Sequence, residues 1–265
     1  MGLDKGLTGK VIDQSSGVLE KAYDDLVHPS ACSIGNTLSL LPRTIGVWLG
    51  SLEKWVINGE ESIKLTSEAV QAKAKKIPEE KLTEPESYVA VPAIQQLSYC
   101  YNSEHLREMY ANLLVSSMNI DTKYQVHPAF VDIIKQLTPD EAKLLKKLDT
   151  EKGYYPLIDL ELYMGPSRGS VPIITNFTTL GDDVCDSPCN IGSYIENLDR
   201  LKIISILNEI HVMDSSRYSP LKCSDKIKEG METPIPSGMT FIIKEKSFIV
   251  TEFGKAFIKV CVEEK

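Results

Sequence analysis

The stretch Thr138-Pro139-Asp140-Glu141-Ala142-Lys143-Leu144-Leu145-Lys146-Lys147-Leu148, and the break that follows at Gly153, divides the chain into a helical part and a strand-bearing part. Thr138 supplies a side-chain acceptor at a cap position, Pro139 fits a first helical turn, and Glu141 stands three residues after the cap. This capping box predicts a helix through Leu144, Leu145 and Leu148. Beyond Gly153 the texture changes. Residues 171–177, 203–212 and 240–250 are rich in Ile, Val, Thr and Phe, with Gly and Pro in the gaps, and read as strands. Between the first two, residues 191–201 align Ile191, Tyr194, Ile195, Leu198 and Leu201 at helical spacing, and residues 252–260 read as a closing helix.

Working back from Thr138, residues 128–137 predict a short helix. Residues 103–118 place Leu106, Met109, Tyr110, Leu113, Leu114 and Met118 on one helical side, and 88–101 read as helix despite Pro92. The proline-bounded polar stretch 79–87 is the best linker in the chain. Residues 60–76 are rich in Ala, Glu, Gln and Lys and end in the basic cluster Lys73, Lys75 and Lys76, as a helix C-terminus favours. Residues 10–27 form an amphipathic helix stopped at His28-Pro29. A further helix opens near Pro42 and ends at Asn58-Gly59; it carries Leu41, Ile45, Trp48, Leu49, Leu52 and Trp55 in one stripe.

The expected architecture is α+β and mainly helical, with N-terminal and central helices followed by a winged-helix-like C-terminal module. Residues 1–78 form an N-terminal amphipathic helical region, 79–87 a linker, 88–137 a central helical region and 138–265 the winged-helix-like module. Residues 215–238 stand as its extended wing loop.

The 265 residues carry 29 Lys and Arg against 37 Asp and Glu, a net charge of −8, which disfavours general nucleic-acid binding because neutralising phosphate needs a cationic surplus. The first ten residues lack the apolar core of a signal peptide, and the scattered cysteines read as reduced thiols, so a cytoplasmic location is expected. The most apolar window, 34–56, contains Pro42, Arg43, Glu53 and Lys54, which excludes a spanning helix but leaves peripheral membrane contact open.

Catalytic motifs fail in context. Gly165-Pro166-Ser167-Arg168-Gly169 fits G-x-S-x-G, with Asp182 and His211 following in order. That turn must lead from a strand into a helix, whereas strand-forming Val171-Pro172-Ile173-Ile174 follows here. Ser51-Leu52-Glu53-Lys54 matches S-x-x-K without the motifs that accompany it. Cys185 and Cys189 have no second pair at zinc spacing, although His211 and Cys223 could complete four ligands. His28 and His127 belong to His-Pro turns and His105 is isolated. No catalytic residue, metal or cofactor is assigned.

A winged helix invites DNA binding, but residues 190–202 offer only Arg200 and Lys202 against Glu196 and Asp199. Residues 151–265 hold 13 basic and 17 acidic side chains. The tryptophan stripe has two readings, a helix-bundle core packed on the 10–27 helix or a surface for a membrane or partner helix. In the second, Trp48 and Trp55 are anchors and Arg43, Lys54 and the Lys73 to Lys76 cluster meet anionic lipid.

Several blocks resemble the abortive infection alpha (Abi-alpha) family of bacterial phage-defence proteins. They are Tyr23-Asp24-Asp25-Leu26-Val27-His28-Pro29-Ser30-Ala31 with Gly35 and the segment 38–46; Glu104-His105-Leu106-Arg107-Glu108-Met109-Tyr110-Ala111-Asn112-Leu113-Leu114; the run from His127 through Thr138 to Ala142; Asn197-Leu198-Asp199-Arg200-Leu201; and Thr251-Glu252-Phe253-Gly254-Lys255-Ala256-Phe257. The resemblance implies an abortive-infection protein and supplies no catalytic residues. It departs at Arg200-Leu201-Lys202-Ile203-Ile204, where such proteins tend to have glycine at the third position. The expected function is anti-phage defence through contact with a phage or host protein or the inner-membrane surface. The alternative is a winged-helix DNA-binding transcriptional regulator.

Overall fold

The computed structural model describes residues 60–265 except 98, 99, 101, 102 and 152, and side chains from residue 65 onward. The tryptophan stripe and the 10–27 helix lie outside the described residues. Five helices come first: α1 (Glu60–Ala74), α2 (Ser87–Leu97), α3 (Glu104–Ser117), α4 (Ala129–Lys135) and α5 (Pro139–Lys146). The 138–141 capping box forms as predicted. Thr138 Oγ1 accepts from Glu141 N at 3.2 Å, and Glu141 Oε2 accepts from Thr138 N at 2.6 Å. Central to the layer is α3, which buries Leu106, Met109, Tyr110, Leu113 and Leu114; Ser103 caps it by accepting from Leu106 N.

Strands β1 (Tyr155–Tyr163) and β2 (Ser170–Phe177) follow, then α6 (Ile191–Arg200), β3 (Ile204–Leu207), α7 (Ser219–Lys222), α8 (Asp225–Met231), β4 (Thr240–Val250) and α9 (Glu252–Phe257). Among the described residues the protein is therefore α+β, with nine helices and one four-stranded sheet, ordered β2-β1-β4-β3 and antiparallel throughout. The curl of β2 over β1 is marked by register shifts near Asn176, which has a positive φ of 54°. A bulge that turns a strand in this way suits asparagine, which tolerates the left-handed region.

Three expectations need correction. The central strand β1 was not anticipated, because Asp159 and Glu161 break an apolar run and Pro156 discourages a ladder. β3 spans four residues, not ten, since the chain leaves the sheet after Leu207 and Tyr218 Oη donates to Lys246 O across the exit. Residues 215–238 are no plain wing loop: they carry a 3₁₀ turn, α7 and α8, which cover one sheet face. On that face Lys222 pairs with Glu245 at 2.5 Å, and a side chain on Gly230 would come within 2.8 Å of Leu160.

Lys202, which replaces an expected glycine, takes the left-handed conformation itself, at φ 60°. Ile203 N donates to Leu198 O at 3.0 Å and Lys202 N to Asp199 O at 2.9 Å, a Schellman cap made without glycine.

Candidate functional site

The polar residues of the motif blocks converge where α5 meets α6. Asp140, itself buried, accepts from Asp186 N at 2.8 Å, Ser187 N at 2.9 Å, Tyr194 Oη at 3.0 Å and Lys143 Nζ at 3.2 Å. Burial alone would raise its carboxyl pKa; these donors outweigh it and hold the group below the usual carboxylate range. Glu141, having closed the capping box with one oxygen, accepts from Asn197 Nδ2 at 2.7 Å with the other. Asn197 also reaches Gln136 O at 3.0 Å, and Arg200 donates to Asn197 and to Gln136 Oε1. Glu141 thus serves a local cap and a distant element together, while Asp140 ties α5 to the segment before α6 and to α6 itself.

Two further junctions use the remaining blocks. His127 and Phe130 meet Phe253 and Phe257 with ring centroids 5.3–5.9 Å apart, mostly tilted or edge-on. Between them, α9 approaches β3 so closely that a Cβ on Gly254 would sit 1.9 Å from Ile203 O. On α3, buried Asn112 and Ser116 donate to Cys261 O at 3.0 Å and Val260 O at 3.1 Å. Those carbonyls belong to the π turn Ile258–Val262, whose widened geometry frees them for side-chain donors.

A second polar cluster crosses the sheet. Lys246, buried on β4, pairs with Asp159 at 2.7 Å and donates to Asn176 Oδ1 at 2.6 Å. Asp159 accepts also from Asn176 N at 2.7 Å, and Asn176 Nδ2 reaches Glu196 on α6 at 3.1 Å. Further along, Glu161 pairs with Lys244 at 2.8 Å and accepts from Ser170. Burial pushes the Glu161 carboxyl up, but Lys244 and Ser170 more than offset this and hold it low. Sequence reasoning missed this cluster because its members stand on three strands and a helix.

Of the predicted site residues, Leu41, Ile45, Trp48, Leu49, Leu52 and Trp55 lie outside the described residues. The basic cluster Lys73, Lys75 and Lys76 lies at the end of α1 and just beyond it. Lys73 pairs with Glu108 at 2.6 Å, Lys76 donates to Lys265 O at 2.8 Å, and Lys75 is exposed. Ser167 sits in the exposed β1–β2 hairpin loop, where Gly165 and Gly169 take positive φ and Met164 N donates to Gly169 O. The turn joins strand to strand. Among the described residues, no three His, Cys, Asp or Glu side chains gather to hold a metal ion. A shallow cleft of about 370 Å³ between α3, α5 and the C-terminal turn has Leu145, Leu148, Ile258 and Val262 on its floor and Glu108, Asp149 and Lys146 at its rim.

Residues 58–261 match the family model described as abortive infection alpha. No curated protein and no solved structure matches the chain. The matched range includes every motif block named above except the one over 23–46.

Proposed function

Because the chain belongs to the abortive infection alpha family, we propose that it defends a bacterium against phage by contact, with a phage component, a host protein or the inner-membrane surface as partner. The observation that carries this reading is where the motif side chains go. Thr138, Asp140, Glu141, Asn197, Phe253 and Gly254 are committed to caps, docks and close packing, and the motif residue at the rim of the cleft, Glu108, is paired with Lys73. A scaffold so specified preserves a shape, as a contact-driven effector or sensor requires.

The winged-helix comparison belongs to the same proposal. α5, α6, β3, β4 and α9 follow that order, with the β1–β2 hairpin inserted between the two helices and α7–α8 inserted between the wing strands. What would be the groove-reading side of α6 abuts β2: a Cβ on Gly192 would lie 2.6 Å from Thr175 O, and Glu196 bonds Thr175 and Asn176. An acidic, strand-covered helix supports protein contact over phosphate contact. No helix among the described residues is long and apolar enough to cross a membrane, so a membrane partner would be met from its surface.

The test is phage plating on cells expressing the wild type or Trp48→Ala with Trp55→Ala, paired with liposome flotation of both proteins. Loss of protection in the double variant, with or without loss of lipid binding, is expected. Full protection by the double variant would overturn a contact made through the tryptophan stripe. A duplex shifted on a gel by the wild-type protein, and not by Arg200→Glu, would favour the regulator instead.

A further inference from the structure

The position of α1 fixes where residues 1–59 join the body. α1 buries Thr66, Ser67, Val70 and Ala74, and packs chiefly on α3. Lys73, near its C-terminus, pairs with Glu108, only about a turn from the start of α3. A parallel α1 would soon run past that start, so packing along its length requires it to run antiparallel. Its first turns therefore lie beside the C-terminal end of α3.

Exposed apolar side chains gather at the same end. Tyr88 begins α2, Ile120 and Tyr124 follow α3, and Leu65 lies in the early turns of α1; they are exposed to 58%, 46%, 85% and 42%. The start of α2 is held there by Thr83 N donating to Met118 O at 2.8 Å, by the Leu82–Asn119 bridge and by Glu86 pairing with Lys123 at 3.7 Å. Isolated surface tyrosines are ordinary, but several apolar groups beside a chain entry point mark an interaction surface.

We propose that this apolar end of the helical layer is the docking surface for the stripe Leu41, Ile45, Trp48, Leu49, Leu52 and Trp55 of the same chain. The stripe finishes at Trp55, and Asn58-Gly59 offers a turn immediately before α1. A tether this short keeps the stripe at high effective concentration against the nearest apolar surface, which an unlinked partner lacks. Docking shields both tryptophans at rest, and a trigger that competes for this end releases them. The consequence of release rests on the proposed contact function; the docking does not, and it is measured without phage or lipid.

Trp48 and Trp55 are the only tryptophans in the chain, so intrinsic fluorescence of the full-length protein reports on the stripe alone. Emission is expected to be blue-shifted and poorly quenched by acrylamide in the wild type, and red-shifted and quenchable in Tyr88→Asp with Tyr124→Asp. Emission typical of solvated indole in the wild type, or identical emission in both proteins, overturns the docking. A blue shift that appears only at high protein concentration, or only with phosphatidylglycerol vesicles, overturns it in favour of a second copy or a lipid surface. If circular dichroism shows that the aspartate pair does not fold, the reciprocal Trp48→Ala, Trp55→Ala protein decides. Nitration of Tyr88 and Tyr124 by tetranitromethane is expected to rise in it, and equal nitration in the two proteins overturns the docking.

Discussion

The helical layer and the sheet solve the problem of buried polar groups differently. Around α5 and α6 the carboxylates of Asp140 and Glu141 are satisfied largely by backbone N–H groups, a tyrosine hydroxyl and an asparagine amide. In the sheet, Lys246 and Asp159 are satisfied largely by each other, with Asn176 closing the ring. Neutral donors can be lost singly at moderate cost, whereas removing half of a buried ion pair leaves an uncompensated charge. The sheet should therefore be the less forgiving half.

Lys246→Ala tests this most severely. It strands Asp159 and should lower stability by about 3 to 5 kcal/mol in urea unfolding; Lys246→Met with Asp159→Leu should recover most of that loss. A single variant costing no more than a surface substitution would remove the contrast. Gly254→Ala should cost about 3 kcal/mol by thermal or chemical unfolding, because α9 must retreat from Ile203 O.

Asp140→Asn replaces one acceptor oxygen with a donor facing N–H and O–H groups, and should cost about 2 kcal/mol. Since the folded-state Asp140 pKa is lowered, its contribution is present above the ordinary carboxylate range and is lost as pH falls through the folded value. Wild-type stability should thus drop on acidification more steeply than that of Asp140→Asn, and parallel pH profiles would show that the four donors contribute nothing. The smallest effect has the opposite sign: Lys202→Gly should stabilise by about 1 kcal/mol, because a left-handed lysine is strained where glycine is not.

The helical layer was readable because its signals are local. The Thr138 capping box, the Ser103 to Met118 periodicity and the Asn197 block each declare themselves within a few residues, and α5, α3 and α6 lie where those patterns put them. β1 was unreadable because Asp159 and Glu161 look solvent-facing until β4 brings Lys246 and Lys244 diagonally across from them. α7 and α8 escaped notice because each is too short for periodicity to register.

The sequence alone determined the longer helices with their caps, the α+β class and, through ordered motif blocks, the family. Those are properties of neighbours along the chain, where a cap or a stripe needs no distant partner. Only the tertiary structure decided that the motif carboxylates tie α5 to α6, that a charged strand runs through the middle of the sheet, and that α1 packs along α3. These depend on groups tens of residues apart, whose pairing energies arise only once folding has removed the water between them.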